Sequence, residues 1–98
     1  MHPYTMLKDL IQELVGRLVS EDLHHNSFGS YVATYDNGGY LIRLVWDGKD
    51  GCGFVQQHLG HGEWADVTVY LTEGDLEGVP QNQAKIEKFR QAVAALSR

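Results

Sequence analysis

The chain has 98 residues, 43% of them hydrophobic, which predicts one domain, residues 1–98, with a core that needs no disulfide. Its formal net charge is −5, and its 8 basic residues are too scattered to form the basic face of a nucleic-acid-binding protein. No apolar run reaches the roughly 18 residues of a membrane span, no signal peptide is recognisable, and one cysteine fits a reducing compartment, so we expect a soluble, cytoplasmic protein.

An amphipathic helix is predicted from about Thr5 to Ser20. Its apolar residues recur at helical spacing: Met6, Leu7, Leu10, Ile11, Leu14, Val15, Leu18 and Val19. On a helix they would cover an arc of roughly 220°, which is wider than one contact with a sheet usually needs. Gly16 would cost about 1 kcal/mol relative to Ala inside this helix, unless it allows close backbone packing.

Four strand-like runs bounded by turn residues follow: 29–35, 40–46, 52–59 and 64–71. Together they predict an antiparallel meander. An Asn-Gly pair favours a type I′ turn because both central positions need positive φ. With Asn37-Gly38 as that turn, Tyr35 faces Tyr40 in the first hairpin.

The second hairpin is predicted to turn through a three-residue loop, Gly60-His61-Gly62. This loop pairs His58 with Trp64 and Gln56 with Asp66. The alternation along the third and fourth strands places these four side chains on one face of the sheet.

A closing helix is predicted from about Gln81 to Leu96. It carries a narrow apolar stripe: Ile86, Phe89, Ala92, Val93 and Leu96. Before it, Thr72 and Asp75 have the spacing of a helix entry, but glycine and proline limit that helix to about one turn. The predicted fold is therefore α+β, with the order α-β-β-β-β-α and the C-terminal helix packed on one sheet face.

Two histidine-bearing segments could supply metal ligands. His58, His61 and Glu63 lie within six residues, and zinc accepts both imidazole and carboxylate. The segment crosses a glycine-flanked turn, however, so an exposed hairpin tip is the simpler interpretation. The adjacent pair His24-His25 is interpreted as part of a surface connection. We expect no metal and no cofactor.

Cys52 is interpreted as a half-buried structural cysteine. A nucleophilic thiol needs a nearby cation or helix N-terminus to lower its pKa and a base to activate it, and the neighbouring sequence offers neither. No phosphate-binding loop, nucleophile elbow or dinucleotide fingerprint is present, and no motif identifies a family. No residue is therefore assigned a catalytic role.

The most informative feature is a mixed aromatic and polar sheet face. Its members are the candidate binding residues: Arg43, Phe54, Gln56, His58, Trp64, Asp66 and Tyr70. If the helices cover the other face, these residues form an exposed patch of the kind that binds proteins. If a helix covers them, they are ordinary core residues. The sequence does not fix which face is covered.

The function favoured by the sequence is non-enzymatic: a protein-binding or self-associating, homodimeric module that uses the first helix, the aromatic sheet face or both. The alternative is a small-molecule binder or a metal-dependent enzyme. Its candidate groups are Arg43, His58, His61, Glu63 and Asp66.

Overall fold

The structure is a computed structural model that describes residues 2–23, 28–78 and 82–96. Its elements in chain order are α1 (Pro3–Ile11), β1 (Arg17–Asp22), β2 (Tyr31–Asn37), β3 (Tyr40–Asp47), β4 (Cys52–Gly60), β5 (Glu63–Asp66), β6 (Leu71–Thr72), α2 (Glu73–Glu77) and α3 (Gln83–Ala95). The predicted order of helix, antiparallel meander and C-terminal helix is confirmed. The described strands form an open sheet in the order β1-β2-β3-β4-β5, with β6 also paired to β4.

The helix α1 begins at a side-chain cap. The His2 imidazole accepts a hydrogen bond from the backbone N–H of Tyr4 at 3.0 Å, and Pro3 occupies the first helical turn, where no N–H is needed. Leu7 and Ile11 on the same side of the helix are fully buried. The cap and this apolar side fix both the start of α1 and its orientation towards the sheet.

The prediction that this helix continues to Ser20 is wrong, because α1 ends at Ile11 and the chain turns into β1. Gly16 lies at the turn, where the backbone comes very close to β2. A Cβ atom at Gly16 would lie 2.0 Å from the carbonyl oxygen of Asp36. The glycine thus allows a close approach between two backbone segments, one of the two roles that the sequence left open for it.

The wide apolar arc predicted for the first helix is consequently wrong as well. Leu14 and Val15 pack against the core from the turn. Leu18 and Val19 lie on the edge strand β1 and are 41% and 42% exposed. Helical spacing failed here because a helix, a turn and a strand in succession produced the same apolar pattern as one longer helix.

The register predicted for the first hairpin is wrong by two residues. The turn is formed by Gly38 and Gly39, with φ of 66° and 95°, so Tyr35 pairs with Ile42. Asn37 stays in the strand, where its side-chain amide donates to the carbonyl of Leu96 at 3.0 Å. Because the shift is two residues, every side chain keeps its predicted face.

The second hairpin has the predicted pairing of His58 with Trp64 and of Gln56 with Asp66. Its loop differs from the prediction, since His61 and Gly62 alone form the turn and both have positive φ, 55° and 76°. The additional residue is accommodated by an irregularity in the ladder just before the turn. The faces therefore remain as predicted.

The predicted fourth strand, 64–71, is interrupted and becomes β5 and β6; together with β1, from the segment predicted as helix, this gives the described sheet six strands where four were expected. At the interruption the Thr68 hydroxyl accepts the backbone N–H of Val55 at 3.0 Å, while Val67 donates to the carbonyl of Val55 at 2.9 Å. A side chain thus replaces one backbone acceptor, which lets the chain leave the ladder after β5 and rejoin it as β6.

The short helix and the closing helix were both predicted; α3 runs from Gln83 to Ala95, and Gln81, where the closing helix was predicted to begin, lies outside the described residues. Thr72 and Asp75 form a reciprocal capping box at the start of α2, which is one short helix of five residues. Lys85 of α3 forms an ion pair with Asp75 at 2.7 Å and ties the two helices together. Phe89 and Val93 of α3 are fully buried.

The core lies between the sheet and the helices. The buried residues of its cluster are Tyr4, Leu7, Ile11, Ala33, Tyr35, Ile42, Leu44, Trp46, Val55, Leu71, Leu76, Phe89 and Val93. They come from α1, α2, α3 and one face of the sheet, and Gly53 lets α1 approach β4 so closely that a Cβ atom there would lie 2.2 Å from Leu7 Cδ1. In the described ranges, none of the helices has the length and apolar character needed to cross a bilayer.

Candidate functional site on the open sheet face

The side of the sheet that faces away from α1 and α3 is called the open face. It carries all seven predicted binding residues: Arg43, Phe54, Gln56, His58, Trp64, Asp66 and Tyr70. Strand pairing brings most of them side by side, because Arg43 lies opposite Gln56 and Gln56 lies opposite Asp66. In the described parts of the chain no helix covers this face. None of these seven side chains is fully buried, so they do not belong to the core.

A chain of hydrogen bonds crosses the open face from β3 to β5. Arg43 Nε donates to Gln56 Oε1 at 2.6 Å, and Gln56 Nε2 donates to Asp66 Oδ1 at 2.8 Å. The Tyr70 hydroxyl donates to Asp66 Oδ2. Each side chain therefore restricts the rotamer of the next, and both oxygens of the Asp66 carboxylate are occupied.

Two aromatic pairs flank this chain of hydrogen bonds. The His58 and Trp64 rings lie with their centroids 4.9 Å apart, and the Phe54 and Tyr70 rings are stacked at 4.6 Å. The guanidinium carbon of Arg43 lies 4.1 Å from the centroid of the Trp64 ring, a cation–π geometry. The face is thus an ordered surface of rings around a polar centre.

Burial and hydrogen bonding shift the pKa values of two groups on this face. Burial lowers the pKa of Arg43, although a guanidinium remains charged at any physiological pH. The hydrogen bond to Asp66 is the main cause that raises the pKa of Tyr70, so the phenol stays protonated and continues to donate. The face accordingly presents a fixed positive charge beside a neutral phenol and an engaged carboxylate.

The histidine-bearing turn does not converge into a metal site. His61 and Glu63 are exposed at the tip of the second hairpin, whereas His58 packs on Trp64. Within residues 2–23, 28–78 and 82–96, no group of three His, Cys, Asp or Glu side chains has an arrangement that could hold a metal ion. His24 and His25 lie outside the described residues.

Cys52 is buried at the start of β4, with 8% of its surface exposed. Burial, followed by the negative charges of Asp47 and Asp50, raises the pKa of its thiol. The thiolate that a nucleophile requires is therefore disfavoured, in agreement with a structural role.

Two concave regions lie away from the open face, and neither was predicted from the sequence. An open groove of about 800 Å³ between α1 and α3 is lined by Met6, Asp9, Leu10, Leu76, Gln83, Ala84, Ile86, Glu87 and Arg90. A smaller recess of about 370 Å³ includes Tyr4, Lys8 and Glu21. There the Tyr4 hydroxyl and Lys8 Nζ each donate to Glu21 Oε2 at 2.5 Å, a cluster that joins α1 to β1. Its residues are far apart in sequence, so only the fold reveals it.

Apolar residues that were not among the predicted binding residues surround Arg43 on the open face. Leu41 and Val45 are two residues before and after it on β3, and Val32 on β2 pairs with Val45. Strict alternation along the strand was sufficient to place them there.

Comparison of the chain with protein-family models, with curated proteins and with solved structures found no match. The assignment of a function therefore depends on the geometry of the open face.

Proposed function

We propose that this chain is a non-enzymatic protein-binding module whose binding surface is the open face. The observation that carries the proposal is the ordered arrangement of Arg43 over Trp64 beside the stacked Phe54–Tyr70 pair, on a face that no described helix covers. Tryptophan, tyrosine and arginine are the residues most often found at the energetic centres of protein interfaces. Holding them in place before binding reduces the entropy lost on association.

The position of the open face, outside the two concave regions described above, favours a protein over a small molecule. Binding sites for small molecules are concave, and the two concave regions described above lie on other parts of the molecule. The area of the open face follows from the strand dimensions. Five neighbouring strands, spaced about 4.8 Å apart and about seven residues long, span a backbone area of roughly 500 Å². This approaches the roughly 800 Å² that each partner contributes to a standard protein interface.

The engagement of the polar side chains also argues against the metal-dependent or enzymatic alternative. Asp66 accepts from Gln56 and Tyr70, and His58 packs on Trp64, so these groups hold the surface in shape. The role that the sequence suggested for the first helix has less support, because Leu7 and Ile11 are buried in the core and other apolar residues of α1 line the groove towards α3. The open face alone carries the proposal.

The proposal is tested by a tryptophan substitution with an exposed tyrosine as its matched control. Trp64→Ala removes the ring under Arg43, whereas Tyr40→Ala removes a ring that is 59% exposed at the tip of the first hairpin, on the other side of the sheet. We expect Trp64→Ala to weaken partner binding by about 2 kcal/mol or more and Tyr40→Ala to change it little.

The measurement is quantitative affinity capture of the tagged chain from its host cells, with an untagged copy co-expressed, after circular dichroism has shown that both variants fold. Phe54→Ala provides a second variant on the open face. Association of the untagged copy or of another protein that decreases with Trp64→Ala and Phe54→Ala, but not with Tyr40→Ala, supports the proposal. Equal capture by all three variants contradicts it.

A further inference from the structure

We propose that the Arg43 guanidinium, held over Trp64, binds a carboxylate of the protein partner. The partner is inferred to present an extended acidic segment in which an Asp or Glu has an apolar residue two positions away on each side. This inference rests on the proposed function, since it specifies the chemistry of the protein that the open face binds.

The first observation is that Arg43 has no anionic partner among residues 2–23, 28–78 and 82–96. The side-chain ion pairs found in the described part of the chain join Lys8 to Glu21, Arg17 to Asp36, and Lys85 to Asp75. Arg43 is half-buried, yet in that same part of the chain it forms one hydrogen bond, from Nε to the neutral amide of Gln56. A guanidinium has five N–H donors, and burial has removed part of its hydration. An added carboxylate would replace that lost hydration.

The second observation is that the guanidinium is already oriented for such a ligand. Gln56 holds Nε at 2.6 Å, and Gln56 is itself held by Asp66, which also accepts from Tyr70. The Trp64 ring lies against the guanidinium, with its centroid 4.1 Å from Arg43 Cζ. Because Nε is engaged, the donors that remain are those of the two terminal nitrogens, and arginine uses such donors in bidentate bonds to carboxylates.

The charges around Arg43 favour a single carboxylate over a polyanion. The chain as a whole carries a net charge of −5, and Asp66 lies in the same row of the sheet as Arg43. A nucleic acid would bring a line of phosphates against these negative charges, with one arginine to compensate them. One acidic side chain bound to Arg43 adds a single negative charge, which the one guanidinium compensates.

The positions next to Arg43 indicate what should flank the acidic residue. Leu41 and Val45 lie two residues before and after Arg43 on β3, on the same face and each about 7 Å away along the strand. Leu41 is 37% exposed, and Val45 pairs with Phe54 of the stacked aromatic pair. In an extended segment, residues at positions i−2, i and i+2 point the same way with the same spacing. The outer two can therefore contact Leu41 and Val45, while the acidic side chain between them reaches across β4 to the guanidinium over Trp64.

The test uses two capped pentapeptides, Leu-Ser-Glu-Ser-Leu and Leu-Ser-Gln-Ser-Leu, titrated into the isotopically labelled protein. The NMR signals followed are the indole N–H of Trp64 and the Nε–H of Arg43. We expect the Glu peptide to shift both signals and to bind at least about tenfold more tightly than the Gln peptide. Arg43→Gln should abolish the difference between the peptides, while Arg17→Gln, which changes an arginine already paired with Asp36, should preserve it.

Arg43→Lys is a second variant, which keeps the charge but loses the Nε bond and the planar fork. It should bind the Glu peptide several-fold less tightly than the wild type, while its spectrum shows whether the fold is retained. Equal affinity of the two peptides, or an unchanged preference in Arg43→Gln, would overturn the carboxylate inference. If affinity capture still depends on Trp64 in that case, the proposed function stands and only its chemistry is wrong. A preference for the Glu peptide combined with capture that is independent of Trp64 would overturn the proposed function.

Discussion

The two faces of the sheet are built from alternate residues of the same strands, but they are stabilised differently. On β3, Ile42 and Leu44 point towards the helices and are 1% and 0% exposed, while Arg43 between them lies on the open face. The helix side is held by apolar packing. The open face is held by a chain of hydrogen bonds and by stacked rings. A sheet face without a layer above it can therefore still be ordered, because its side chains support one another.

The two faces should contribute differently to the free energy of unfolding and to the proposed binding. Burial of apolar surface is the dominant favourable term in folding, so the helix side should determine stability. Exposed stacking and surface hydrogen bonds contribute less to folding, because water competes for the same groups. The open face should consequently tolerate substitutions that abolish binding.

The largest expected effect comes from a pair of phenylalanine substitutions, one on each side of the sheet. Phe89→Ala removes a fully buried ring on α3 and should lower the free energy of unfolding by about 3–5 kcal/mol. Phe54→Ala removes a half-buried ring stacked on Tyr70 and should cost about 1 kcal/mol. Urea denaturation monitored by circular dichroism measures both. A cost for Phe54→Ala as large as that for Phe89→Ala would mean that the open face belongs to the core.

A glycine substitution tests whether residues 17–22 form an edge strand of the sheet, as in the structure, or continue the first helix. If Gly16 lay inside a longer helix, Gly16→Ala would stabilise the protein by about 1 kcal/mol. In the structure, the added Cβ atom would lie 2.0 Å from the carbonyl oxygen of Asp36, so we expect destabilisation by about 1–3 kcal/mol. The sign of the change in the urea midpoint thus decides between a helix and a strand.

Gly74→Ala is the matched control for this substitution. It lies within α2, and the nearest atom to its added Cβ would be Thr72 Oγ1 at 3.7 Å, an ordinary contact. This variant should be unchanged or slightly more stable. Destabilisation of both variants by the same amount would show that alanine has a general cost at these glycines, unrelated to the close approach at Gly16.

The smallest expected effect concerns the cluster of Tyr4, Lys8 and Glu21 that joins α1 to β1. Hydrogen bonds from Lys8 and then Tyr4 lower the pKa of Glu21 below its ordinary value of 4.5. The ionised form is therefore favoured in the folded state, so its contribution is present above pH 4.5 and is lost as the pH falls through the lowered pKa. Glu21→Gln should reduce stability by up to about 1 kcal/mol at pH 7, and the difference from the wild type should vanish in acid.

Melting temperatures of the wild type and Glu21→Gln between pH 2 and 7 measure this effect, with Glu63→Gln at the exposed hairpin tip as the control. A constant difference between the wild type and Glu21→Gln across that range would show that the cluster stabilises the protein through packing alone. In that case the contacts of Glu21 on the helix side would stabilise by packing, unlike the hydrogen-bonded side chains of the open face.

Sequence patterns predicted the faces of the strands better than the ends of the elements. Successive residues of a strand point to opposite faces. The two-residue error in the first hairpin therefore left every side chain on its predicted face. The end of α1 depends on a long-range contact, because Gly16 is needed where the chain meets Asp36. The turn at Gly38 and Gly39 also involves a distant contact, since the Asn37 side chain donates to the carbonyl of Leu96, the residue that follows α3. Local propensity carries no information on either contact.

The candidate site could be predicted from the sequence as a set of residues, but its status as an exposed surface could not. The pairing of His58 with Trp64 and of Gln56 with Asp66 followed from one hairpin. The positions of Arg43 and Tyr70 relative to that hairpin required the register of the neighbouring strands. Whether a helix covers the face depends on the short length of α1 and on the side to which α3 returns, and both are properties of the complete fold.

Both margins of the sheet are irregular, and this affects whether a strand of another molecule can pair with them. On one margin, the ladder between β1 and β2 shifts between Leu18 and Ser20. On the other margin, the chain leaves the ladder between β5 and β6, where the Thr68 hydroxyl takes the place of a backbone acceptor. A foreign strand needs a long, regular row of free backbone groups to extend a sheet, and interruptions of this kind prevent such lateral growth and aggregation. The margins therefore disfavour the addition of a foreign strand, which agrees with the proposed binding through side chains of the open face.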